Sequence, residues 1–183
     1  MLLFQICLLL NFFAPVLTPS PDTHAAAHPS YALPVLRQHY REAAGNEAAS
    51  RRFHELMSRY AGQEAVVLAY KAAAEAILAK HTGGLFDKLD RVKAASRQFD
   101  AAVALSPRHP EIRLLRFSVE SNLPSFLGAS KHVQEDKHLL VETLLNHPRS
   151  GLDAEAYRIT RDYLLQGKHL TDEQARRVRE LRP

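Results

Sequence analysis

The chain has 183 residues, of which 46% are hydrophobic and 24% are charged, a composition typical of a globular protein with one core. Its single cysteine, Cys7, lies in an apolar N-terminal run, so the remainder cannot form a disulfide, a cysteine-based zinc site or a thiol nucleophile. The formal net charge of +4 is spread along the chain without interleaved aromatic residues, which argues against a nucleic-acid partner.

The N-terminal segment has the layout of a secretory signal. The run Leu2–Leu17 is almost wholly apolar, Pro19 and Pro21 come directly after it, and the small residues that a signal peptidase requires stand at Ala25–Ala27. The run has 16 residues, fewer than the roughly 20 that span a bilayer as a helix. We therefore predict a removable signal peptide over residues 1–27 and export to the periplasm. The alternative is an N-terminal membrane anchor that stays attached.

The remainder of the chain has the periodicity of helices. Strand-like alternation is absent, β-branched residues are sparse, and alanine is abundant in the first half, which favours helix. Asn46 is placed to cap one helix, and Thr171 with Gln174 forms a capping box at the start of another. We predict an all-α fold of about eight helices joined by short turns, over residues 34–44, 46–60, 63–81, 87–107, 111–122, 130–146, 152–166 and 171–181.

The distribution of apolar side chains predicts which helix surfaces are buried. The helix over residues 111–122 is apolar around most of its circumference, and only Arg113, Arg116 and Glu120 form a polar stripe. A helix of this kind belongs in the centre of a bundle, so we expect it to be the most buried one. Leu85, at the start of the preceding helix around Phe99, is expected to face inward.

The helix over residues 87–107 carries small and aromatic residues at fixed intervals. Ala95, Phe99, Ala102 and Pro107 follow the order of the second helix of a tetratricopeptide repeat, A-x3-F, then A, then P. In that motif a small residue lets two helices approach, the aromatic ring fills the gap, and proline ends the helix. The segment therefore resembles the tetratricopeptide family.

The resemblance covers one half-repeat, residues 86–107. In its register Gly83 and Phe86 also occupy the glycine and tyrosine positions, whereas Ala79 and Thr82 stand at the tryptophan and leucine positions and do not match. The glycine here also has the character of a stop between helices, while the family keeps it inside one. The alternative interpretation is that any helix packed between two others shows small residues and one aromatic.

A second resemblance covers residues 106–140 and the helix over 69–81, which are similar to uncharacterised exported helical proteins of bacteria. It brings no known activity with it. Together the two resemblances imply a single tetratricopeptide-like domain over residues 28–183, built as a degenerate bundle of stacked antiparallel helical hairpins. Proteins of that architecture usually hold other molecules.

Residues that could carry chemistry are few. The strongest grouping is His132, Glu135, Asp136 and His138, which divides into two candidate ligands on each of two helix faces, whereas a zinc site needs three or four convergent groups. We interpret these residues as solvated polar faces and helix caps. The nucleophile elbow, the phosphate-binding loop and the dinucleotide fingerprint are all absent from the sequence. We therefore predict no catalytic residue, no metal ligand and no cofactor.

Three residues are candidates for binding a partner. Arg113 and Arg116 lie one turn apart on an otherwise apolar helix, where two guanidinium groups could hold a carboxylate or phosphate. The alternative is that Arg116 pairs with Glu120 and Arg113 with a neighbouring helix, because buried arginines are normally paired. Phe126 lies in the unusually apolar connection over residues 123–129. It is either a plug under the bundle, which we favour, or exposed for a partner.

These observations favour an exported, non-catalytic interaction module that holds a protein or peptide partner in a groove between hairpins. The alternative is a periplasmic enzyme or metal-binding protein whose site is assembled from His and acidic residues of separate helices. A third use is peripheral contact with the cell envelope through the basic C-terminal helix, which carries Arg176, Arg177 and Arg179.

Overall fold

The computed structural model describes residues 29–124, 130–166 and 169–181. Throughout these ranges the chain forms helices and turns without any strand, which confirms the predicted all-α fold with eight helices. The predicted signal peptide over residues 1–27 and the candidate residue Phe126 lie outside the described residues. After a short 3-10 turn at Pro29–Tyr31, the helices are α1 (Leu33–Gly45), α2 (Glu47–Ser58), α3 (Ala65–Ala79), α4 (Leu85–Leu105), α5 (Pro110–Glu120), α6 (Val133–Leu145), α7 (Ala154–Gln166) and α8 (Asp172–Glu180).

Local signals in the sequence determine where several helices begin. The Asn46 side chain accepts a hydrogen bond from the backbone N–H of Ala49 at 2.9 Å and caps α2. Thr171 and Gln174 form the predicted capping box of α8, with bonds of 3.2 and 3.1 Å. Gly84 has φ +76°, a left-handed conformation that favours glycine, and it lies just before α4. Gly83 and Gly84 therefore lie between α3 and α4 and separate these two helices.

Helices α3 and α4 form an antiparallel hairpin and make the most extensive helix–helix contact in the described chain. The side of α3 that faces inward is rich in alanine, which allows its backbone to come close to neighbouring helices. From α4, Ala95, Phe99 and Ala102 are all at most 1% exposed. These three residues of the half-repeat are therefore core residues.

Two apolar clusters meet on α5. One joins α1 to α4 and receives Ile112 and Leu115 from α5, and the other joins α6 to α8 and receives Leu114 and Phe117. Nine of the eleven residues of α5 are buried, against ten of fifteen in α3, so the prediction that this helix is the most buried is confirmed. Helix α5 thus lies between the two apolar clusters and contributes side chains to both.

Within the described ranges, no helix has both the length and the apolar character needed to cross a bilayer.

Candidate functional site

Both candidate arginines of α5 are buried and paired within the chain. Arg113 is 6% exposed and Arg116 is 3% exposed. Arg116 donates to both carboxylate oxygens of Asp136 on α6 at 2.7 Å, and Arg113 donates to Asp136 at 2.7 Å and also to Glu135. The Nε of Arg113 is bonded to the carbonyl oxygen of Pro107 at 2.8 Å. These guanidinium groups hold α5 against α6.

The pairing differs from the predicted one in the partner of Arg116. Glu120, expected to pair with it at i, i+4, accepts hydrogen bonds from the backbone N–H and from Nδ1 of His132, at 2.8 and 2.9 Å. His132 directly precedes α6. The buried Glu120 carboxylate is therefore directed to the start of α6 and away from Arg116.

The grouping of His132, Glu135, Asp136 and His138 does not converge on one point. Asp136 is fully buried between the two arginines, Glu135 contacts Arg113, and His138 is exposed. Within residues 29–124, 130–166 and 169–181, no group of three or more His, Cys, Asp or Glu side chains is placed to hold a metal ion. The interpretation of these residues as solvated faces is wrong for Asp136, whose environment is set by α5.

A second buried ion network joins four helices. Arg37 of α1 donates to both oxygens of Glu111 on α5 at 2.9 and 2.8 Å. It also donates to Asp153, which directly precedes α7, at 2.7 Å and to Glu155 of α7 at 3.0 Å. The Tyr70 hydroxyl of α3 donates to Glu111 at 2.6 Å. Burial and the adjacent carboxylate raise the pKa of Tyr70, so this hydroxyl stays protonated and remains a donor.

A cavity of about 390 Å³ opens beside this network, between α1, α3, α5 and α7. Its wall includes the Tyr40 hydroxyl, which forms a hydrogen bond of 2.7 Å with the Ser118 hydroxyl. Burial raises the pKa of Tyr40 to about 12, so its phenol is neutral at physiological pH. Arg37 and Tyr70 both donate hydrogen bonds to Glu111, so these polar groups of the cavity wall have partners within the chain. We assign them no reaction.

A larger apolar groove of about 650 Å³ adjoins the cavity. It lies between α1, α3, the first two turns of α4 and the end of α5, and shares Tyr40, Arg41, Ser118 and Tyr163 with the smaller cavity. We call it the apolar groove and define it by the apolar side chains that line it, which include Ala44, Ile77, Leu85, Leu89, Val92 and Val119.

The apolar groove is lined by one of the exposed large apolar side chains. Three such residues occur in the described part of the chain, Leu85 at 62%, Phe86 at 81% and Leu105 at 57% exposure, and of these Leu85 lines the groove. The expectation that Leu85 faces inward is therefore wrong. Leu85 faces the groove, where no other helix of the described chain covers it.

The basic C-terminal helix presents a separate surface. Arg176, Arg177 and Arg179 are exposed on α8, while Val178 between them is fully buried and holds the helix to the second apolar cluster. Contact of these arginines with an anionic envelope surface stays a prediction.

The chain matches no protein-family model, no curated protein and no solved structure. Over the residues that the structure describes, the geometry defines an all-helical bundle of eight helices, compatible with a helical repeat-like protein.

Proposed function

We propose that this chain is an exported, non-catalytic interaction module of the tetratricopeptide type that holds a protein or peptide segment in the apolar groove. The single observation that carries the proposal is the groove itself, about 650 Å³ between helices, with Leu85 exposed among its lining residues. Contiguous apolar surface on a folded protein commonly marks an interaction site. An apolar groove between helices suits the apolar face of a partner helix.

The packing of α4 supports the tetratricopeptide part of the proposal. Ala95, Phe99 and Ala102 are buried in the core, while Leu85 and Leu89 in the first turns of the same helix line the groove. One helix thus provides both the contacts that build a hairpin and part of the groove wall. This arrangement is what a binding module built from helical hairpins requires.

The polar residues of the groove and of the adjoining cavity support binding over catalysis. Arg37 and Glu111 line the cavity and form an ion pair, and Tyr40, which lines both, is paired with Ser118. Catalytic acids and bases need a free proton acceptor or donor in contact with the reacting atoms. These side chains instead hold the walls of the groove in place.

Photo-crosslinking tests the proposal. With p-benzoylphenylalanine in place of Leu85, which lines the groove and is exposed, irradiated cells are expected to yield a covalent adduct with the partner. Ala44 is exposed and lines the groove from α1, so Ala44→Trp should fill the groove and reduce the adduct at least about tenfold, a loss of affinity worth about 1.4 kcal/mol.

The matched control is Ala101→Trp, the same substitution at an exposed helical alanine outside the groove, which should leave the adduct unchanged. Thermal unfolding of both variants checks that neither tryptophan disturbs the fold. An adduct that persists with Ala44→Trp, or none with the unsubstituted groove, contradicts the proposed function.

A further inference from the structure

We infer that the apolar groove accepts a protein segment whose apolar face is flanked by acidic side chains. This inference rests on the proposed function and adds the chemistry of the partner. The charged side chains that line the groove within the described chain are all cations, namely Lys80, Lys88 and Arg41, the last of which is paired with Glu155 at 3.2 Å. An apolar channel with cations and without carboxylates along its walls is complementary to an apolar segment that carries anions.

The two lysines have no partner of their own in the described part of the chain. Both are exposed, and neither lies within ion-pair distance of a carboxylate among the described residues. Lys80 directly follows α3, where the helix dipole favours a cation. Lys88 lies about one turn into α4, near the end of the helix dipole that disfavours a cation. The helix dipole therefore does not explain why a lysine stands at position 88.

The acidic residues of α4 do not compensate these lysines. Asp87 and Asp90 line a different surface of the helix, together with Glu75 and Arg91. Arg91 donates to Glu75 at 2.7 Å there. The first turns of α4 thus separate their charges, with carboxylates on one side and Lys88 on the groove side. The positive charges of Lys80 and Lys88 are therefore available to pair with carboxylates of a partner.

An exposed apolar side chain of the groove favours a protein segment over a small amphiphile. Leu85 lines the groove and is nevertheless 62% exposed, so it stands at the open side of the groove. A fatty acid held between the walls would leave most of this side chain in water. A partner helix would lie over the open side as well and would cover it. The geometry therefore points to an acidic amphipathic helix.

Three fluorescein-labelled synthetic peptides test this inference. All carry leucine at the same i, i+3, i+4 and i+7 positions, and their remaining positions are glutamate, glutamine or lysine. Fluorescence anisotropy with the purified protein is expected to rank the glutamate peptide as the tightest and the lysine peptide as the weakest ligand. Raising the salt concentration from about 50 to about 500 mM should weaken the glutamate peptide most, because exposed charges are screened.

Charge-removing variants locate the effect. The double variant Lys80→Gln/Lys88→Gln should lose about tenfold or more in affinity for the glutamate peptide and keep its affinity for the glutamine peptide. The matched control is Lys93→Gln/Lys131→Gln, which removes two exposed lysines that do not line the groove and should change neither affinity.

The outcomes separate this inference from the proposed function. Equal affinities for the three peptides, or an unchanged glutamate peptide affinity in the double variant, overturn the inference. If that binding is still blocked by Ala44→Trp, the proposed function stands. Binding of dodecanoate but of none of the peptides overturns the inference in favour of a small amphiphile, and absence of any binding overturns both proposals.

Discussion

Replacing Asp136 with asparagine is expected to lower the free energy of unfolding by about 3–5 kcal/mol, because it leaves buried charges without their partner. Asp136 is fully buried and accepts three hydrogen bonds from Arg113 and Arg116, each of 2.7 Å. Asparagine has nearly the same shape but no charge, so the substitution removes the electrostatic partner with little change in packing. Urea unfolding followed by far-UV circular dichroism measures the loss.

The neighbouring carboxylate supplies the control. Glu135 also contacts Arg113, but its side chain is 58% exposed. Glu135→Gln should therefore cost about 0–1 kcal/mol, as exposed ion pairs do. Equal losses for the two variants would show that burial does not decide the strength of this network, contrary to the structure.

Replacing Arg37 with methionine is the second change with a large expected effect, again a loss of about 3–5 kcal/mol. It would leave Glu111 buried with only the Tyr70 hydroxyl as a donor, close to the carboxylates of Asp153 and Glu155. Arg41→Met is the matched control, because Arg41 also contacts Glu155 but is 55% exposed. This control should lose about 0–1 kcal/mol.

The effect of Arg37→Met should also depend on pH. Hydrogen bonds from Arg37 hold the pKa of Asp153 and that of Glu155 below their ordinary values of 3.8 and 4.5. A carboxyl group with a lowered pKa contributes stability above its unfolded pKa and loses it as the pH falls through the folded value. The wild type should therefore lose stability below about pH 4, and its advantage over the variant should narrow there. An advantage that stays constant from pH 7 to about pH 3 would contradict this.

The Arg37 network is relevant to the proposed function because it fixes helices that form the walls of the apolar groove. It holds α1 against α5 and α7, and α1 and α5 each contribute to the walls of the apolar groove. Walls fixed before binding reduce the ordering cost that a partner must overcome. The buried ion pairs are thus placed to preserve the shape of the groove.

The helices and their caps could be predicted because their signals are local. Asn46 bonds to a residue three positions away, and Thr171 and Gln174 bond to each other over the same distance. Burial of α5 could be predicted as well, since it follows from apolar residues around one helix. In each case the interacting residues lie within one or two turns of the same segment.

The ion networks and the groove could not be predicted because they depend on how distant helices meet. Arg37 and Asp153 are separated by 116 positions, and nothing near either residue in the sequence indicates the other. The burial of Asp136 could not be predicted either, because its own helix does not show that α5 covers it. Within the described chain the groove is a space left between helices, so its lining, such as Ala44 and Val119, depends entirely on the helix arrangement.

The most direct test of the central claim, that the apolar groove is the binding site, is chemical-shift mapping by nuclear magnetic resonance of the labelled protein with the leucine–glutamate peptide. The account predicts shifts concentrated at Ala44, Leu89 and Val119, with Ala101 unaffected. Shifts concentrated on α8, around the exposed arginines at residues 176–179, would contradict it and would assign binding of the acidic peptide to the C-terminal helix.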